Sequence, residues 1–421
     1  MENVQKYPQE TAKPRPWLAR SLPALRSNDF KEPLFSLVLV TIGNLVTGTI
    51  LGVWTGHLEL LPALIVLIPP AIDMRGNIFA SLGSRLGTYL HTGQVTPRWG
   101  DKGGKILRHN VNASLILTVV TSIYLGVLAT FVARAIGLNA NMVDMVLISL
   151  LAGILSAVLM LGLTVLIAFS SYRYGWDPDN ITSPFITLAG DMITLPLLFL
   201  MAGLVLDLGA MPRFTLFYVF MALGAISLMM SFMGVARPHA RRIILESTPL
   251  FLICGLLSVF SGSILGTHVE ALIGIAGVFI MIPAFLEDGG AIGGILAAKF
   301  SSALHVGSLS FSSLPPRFAR RLFLTMQLIG LVVFSLVGLL SYIISILLSI
   351  STLAWYEMVA VAVLTGQILI LVVNLVAYYS SVFTYSMGLD PDNTTIPIIT
   401  SLMDLMGTAT LILVLVVLGL V

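Results

Sequence analysis

The 421-residue chain has a single cysteine, Cys254, so no intrachain disulfide can staple it. A lone cysteine in an apolar stretch reads as a small buried hydrophobe. Charge is scarce as well: Asp, Glu, Lys and Arg make up 10% of the residues, where a soluble protein carries about 25%. The net charge of +2 offers no basic face for nucleic acid. The chain lacks a zincin helix, a nucleophile elbow and a phosphate loop, which removes the commonest hydrolase and nucleotide-binding chemistries. It also lacks a leading short apolar core with a cleavage site, so no signal peptide is expected. Residues 1–32 are polar, proline-bearing and of mixed charge, and read as a cytosolic tail too short to fold alone.

What is abundant is hydrophobic length. Apolar residues make up 57% of the chain and the mean hydropathy is +0.99. Runs of about 20 residues recur from Pro33 to Val421, each long enough for a hydrocarbon core of about 30 Å. Unbroken runs of that length exclude a barrel of short alternating strands. The fold class expected is an all-α polytopic membrane protein with about 11 transmembrane helices. These lie near 34–56, 60–82, 111–136, 143–171, 184–207, 214–236, 248–266, 270–299, 322–350, 356–382 and 396–420. Lys and Arg gather between Lys6 and Lys31, Arg98 and Arg108, Arg237 and Arg242, and Arg317 and Arg321. The opposite loops hold only Arg134 and Arg213. Positive charge stays inside, so the expectation is a multi-pass cell-membrane protein with a cytosolic amino terminus and an external carboxyl terminus.

The chain repeats itself. "IPPAIDMRGNIFASLGSRLGTYLHTG" from Ile68 matches "IPAFLEDGGAIGGILAAKFSSALHVG" from Ile282. "WDPDNITSPFITLAGD" from Trp176 matches "LDPDNTTIPIITSLMD" from Leu389 at almost the same offset. The expected organisation is a tail at 1–32, a first five-helix unit at 33–210, a linker helix and cytosolic loop at 211–243, and a second five-helix unit at 244–421. Five spans would invert the second copy, and the linker span cancels that inversion. The repeats are therefore parallel, related by a pseudo-twofold axis along the membrane normal. Equivalent residues then face each other across one interface, where a path can form.

The repeated acids are the candidates for lining it. Asp177, Asp179 and Asn180, with Asp390, Asp392 and Asn393, form two acidic loops, each before a proline that suits a first helical turn. Asp191 and Asp404 lie seven residues beyond Pro184 and Pro397, roughly 10 Å into their helices. Thr187 and Thr400 share their faces. A carboxylate at that depth costs about 2.5–3.5 kcal/mol on insertion scales and faces a cavity, a partner or an ion. Neither span has a Lys or Arg to neutralise it. Asp73, Asn77, Glu287 and Asp288 sit where proline and glycine are expected to loosen the helix, although Asp73 could also pair locally with Arg75. His91 and His305 read as interfacial, beside Arg85 and Lys299 as boundary anchors. An all-oxygen set suits a hard divalent cation, magnesium or manganese before zinc or copper.

On these motifs the chain resembles the solute carrier 41 and MgtE family of magnesium transporters, over nearly all of 34–421. The resemblance implies a magnesium path in which Asp191 and Asp404 match the pore aspartate that binds the hydrated ion. Asp177 and Asp390 match the preceding Asp-Pro, and Asn77 the asparagine of a Gly-Asn pair. MgtE proper is similar to one unit acting as a homodimer, so a monomeric pseudo-dimer in membrane lipid is implied here, with further oligomers open. Two departures stand out. Gly290-Ala291 replaces Gly76-Asn77 in the second unit, and the segment before Pro33 is too short for cytosolic magnesium-sensing domains. Sodium- or proton-coupled exchange would use the same carboxylates. A magnesium-dependent membrane enzyme acting on a lipid diphosphate would need clustered acids on one helix with basic partners, and these are missing.

Overall fold

The structure is a computed structural model; it describes residues 28–95, 103–174, 178–232, 238–305, 307, 309, 314–387 and 391–421. The regular secondary structure in these segments is all helical. In chain order the helices are α1 (Asn28–Val53), α2 (Thr55–Leu60), α3 (Leu64–His91), α4 (Gly103–Ala135), α5 (Met142–Arg173), α6 (Pro178–Asp207), α7 (Ala210–Phe232), α8 (Pro238–Gly266) and α9 (Val269–Gly274). A 3₁₀ segment (Ala276–Met281) then leads into α10 (Ile282–His305), followed by α11 (Arg317–Leu347), α12 (Trp355–Ser386) and α13 (Pro391–Val417). Ten helices among the described residues are long and apolar enough to cross a membrane. The eleventh expected span is α7, a shorter apolar helix on the periphery with most of its side chains exposed.

Two helix starts differ from the sequence expectation. α6 and α13 begin at Pro178 and Pro391, so Pro184 and Pro397 lie inside them rather than in a first turn. The prolines of the two Asp-Pro steps take the first helical position, where a missing N–H costs nothing. Pro184 and Pro397 then leave the carbonyls four residues earlier, at Asn180 and Asn393, without a helical donor. α3 runs through Pro69 and Pro70 without a break, and these prolines lack the N–H that a helix would donate to the carbonyls of Ile65 and Val66. In the second copy the irregularity falls before Pro283, as the 3₁₀ segment.

The first helix of each half packs on the other half. α1 lies against α10, α11 and the 3₁₀ segment, and against α6; α8 lies against α3, α4 and α13. Small residues permit the approach. A side chain at Gly48 of α1 would overlap the Ile280 carbonyl, and one at Gly262 of α8 would overlap the Val66 carbonyl. Gly48 and Gly262 are 214 residues apart, and so are Val66 and Ile280, so one contact is written twice. The short helices α2 and α9, seated by buried Leu58, Val269 and Leu272, touch each other. α3 and α10 close alike, on Gly93 and Gly307 at φ +69° and +73°, the left-handed conformation that ends helices at glycine.

Candidate functional site

Four carboxylates from four helices converge between the halves: Asp73 (α3), Asp191 (α6), Glu287 (α10) and Asp404 (α13). Asp191 is fully buried, Asp404 and Asp73 nearly so, and Glu287 is half-buried. Asp191 faces Glu287, with Asp404 and Asp73 in electrostatic reach. α3 and α10 approach α6 and α13 closely because Gly76 packs on Thr187 and Gly290 on Thr400. That contact sets each Pro-bearing helix beside the helix carrying the deeper aspartate.

The acids are not treated alike. Asp73 Oδ1 accepts from Asn77 Nδ2 at 2.8 Å, and its Oδ2 from Ser258 Oγ at 2.8 Å and Ser401 Oγ at 3.1 Å. Ser258 lies 3.4 Å from Asp404 Oδ2, while Ser261 and Thr408 donate to the Asp404 carbonyl at 3.0 Å each. Asp191 has no donor on either oxygen. Asp288, the neighbour of Glu287, turns away to α1, accepting from Thr41 Oγ1 at 2.8 Å and Asn44 Nδ2 at 3.1 Å.

Asp73 does not pair with Arg75. The buried Arg75 guanidinium points to the other side of α3 and donates to Ser122 at 2.7 Å, against Gly153. The corresponding glycine of the second half, Gly366, packs on the ring of Phe334. Arg85 binds Asn110 at 2.9 Å. Asp177 and Asp390 lie outside the described residues, as do the side chains of Asp179, Asn180, Asp392, Asn393, His91 and His305. Ser258, Ser261 and Ser401 escaped the sequence reading, since serines are common in membrane helices. Their one visible signal was position, with Ser258 and Ser261 three apart on the first helix of the second half.

No group of three or more His, Cys, Asp or Glu side chains among the described residues is arranged to hold a bare metal ion.

A sequence profile described as MgtE, divalent cation transporter, matches residues 68–201 and 282–414. Solute carrier family 41 member 3 of Rattus norvegicus is 25% identical over 383 residues, covering 83% of this chain and 78% of that protein. Solute carrier family 41 member 2 of Gallus gallus is 24% identical over 440 residues, covering 98% and 72%. Among solved structures, the eukaryotic MATE transporter AtDTX14 aligns with a TM-score of 0.27 and 12% identity over 91% of this chain and 95% of that one. That likeness carries no argument.

Proposed function

Because this chain belongs to the MgtE family of divalent cation transporters, we propose that it moves magnesium across the membrane between its two halves, past Asp191 and Asp404. Members of that family are transporters, so the chain is a transporter and not an enzyme. One observation carries the path: Asp191 is wholly buried in a membrane helix, and neither of its oxygens has a protein donor. An ionised carboxylate left so is costly unless something cationic visits it. No group of acids among the described residues is arranged to hold a bare ion, and magnesium dehydrates reluctantly, binding through retained waters. The bound waters are hydrogen-bond donors, and the inward carboxylates are acceptors.

The test is magnesium flux into proteoliposomes holding the intact chain, Asp191→Asn or Asp404→Asn. Losing one charge of the pair is expected to cut flux about tenfold or more, the equivalent of about 1.4 kcal/mol, with the melting temperature retained. Normal flux in both variants would remove the path from this interface. Repeating the assay with an imposed sodium gradient separates exchange from passive conduction.

A further inference from the structure

The two halves reuse one contact with a shift of a single residue, and the shift decides which acids are free. In each half the Pro-bearing helix carries an acid that clasps the exchanged first helix of the other half. In the first half that acid is Asp73, bonded to Ser258 of α8. In the second it is Asp288, bonded to Thr41 and Asn44 of α1. With the 214-residue offset of the repeat, Asp73 corresponds to Glu287 and Asp288 to Met74; Ser258 corresponds to Asn44 and Gly255 to Thr41. The partners change together. Where the second half sets Asp288 on Thr41, the first sets Met74 against Gly255.

Neighbouring residues on a helix point about 100° apart. Moving the clasp from the Glu287 position to Asp288 therefore turns it out of the centre and releases Glu287. Asp73 has three protein donors on its two oxygens, which takes most of the roughly four acceptor sites of a carboxylate. Glu287 has no serine, threonine or asparagine clasp of this kind; among the described residues its side chain meets the Asp191 carboxyl. It is half-buried and faces Asp191, whose own oxygens have no donor.

From this we infer that the cation path is asymmetric: Glu287 joins Asp191 as an acceptor for the water shell of the cation, while Asp73 and Asp288 fasten α8 and α1 in place. The assignment rests on the proposed magnesium path and adds the division of labour within it. A hydrated divalent cation presents only donors, so it settles where acceptors are unsatisfied, against the Asp191–Glu287 side. Asp73 has most of its lone pairs taken by protein donors.

The experiment uses the full chain in detergent with magnesium alone as the probe, reading the melting temperature without magnesium and the magnesium concentration that half-saturates its rise. Glu287→Gln is expected to raise the half-saturating concentration about tenfold without lowering the magnesium-free melting temperature. Asp288→Asn is expected to do the reverse, melting lower with the half-saturating concentration moved less than about twofold. Should Glu287→Gln fail to fold, Glu287→Asp is measured in the same way, and its expected several-fold rise supports the assignment. If Asp191→Asn shifts the response and neither Glu287 variant does, or if Asp288→Asn shifts it as far as Glu287→Gln, the assignment is overturned while the magnesium path stands. If Asp191→Asn also leaves the response untouched, the path itself falls, and the assignment with it.

Discussion

Ser258 shows how much one hydroxyl can organise. It has a single hydrogen, lies 2.8 Å from Asp73 and 3.4 Å from Asp404, and comes from the half opposite Asp73. The shorter contact takes the proton, so the bond to Asp73 ties α8 to α3. A hydrogen bond to a charged group contributes about 1.5–3 kcal/mol, and the partner left behind bears a desolvation cost. Ser258→Ala is therefore expected to lower the melting temperature of the purified chain, whereas Ser258→Thr retains the hydroxyl and should recover most of the loss. Equal damage from both substitutions would assign the position to packing rather than to the bond.

The exchanged helices α1 and α8 depend on close backbone approach. Side chains offer slight driving force between helices in lipid, so small residues that let backbones touch matter most. Gly262 meets the Val66 carbonyl, and a backbone cannot move aside as a flexible side chain can. Gly262→Val is expected to cost about 1–3 kcal/mol or more through overpacking, seen as a lower melting temperature and a broadened size-exclusion peak. Gly294 on α10 provides the contrast, since nothing lies within 4 Å of an added Cβ there. Gly294→Ala should be neutral or stabilising by up to about 1 kcal/mol, the helix-propensity gain of alanine over glycine. A Gly262→Val variant as stable as Gly294→Ala would show that the helices pack less closely than described.

Across the whole molecule, the distribution of Lys and Arg sets an orientation that can be read out by labelling. Cys254 is buried, so cysteines introduced on the surface report alone. With the amino terminus inside, Glu59 on α2 is external and Lys105 at the start of α4 is cytosolic; both are exposed. In intact cells, Glu59→Cys is expected to react with an impermeant maleimide, and Lys105→Cys only after permeabilisation. The opposite pattern would invert the molecule. The same packing leaves α7 on the periphery and brings α2 and α9 together, so the polypeptide links the halves from the outside while α1 and α8 tie them together.

That this is an all-helical chain crossing the membrane many times was legible in its sequence, because hydropathy and helix length are local properties. The divalent cation chemistry of its family was legible too, in acids without basic partners at helical depth. The helix starts were misread: each acidic loop contains two prolines suited to a first turn, and only the backbone shows that Pro178 and Pro391 take that position. The exchange of α1 and α8 between halves, and the sorting of Asp73, Glu287 and Asp288 onto different partners, belong to the tertiary structure. The partners in those contacts lie 185 to 328 residues apart. Glu287 and Asp288 are neighbours of the same charge in the sequence. Only the rotation of α10 against α1 and α6 decides which one meets Thr41 and Asn44 and which one meets Asp191.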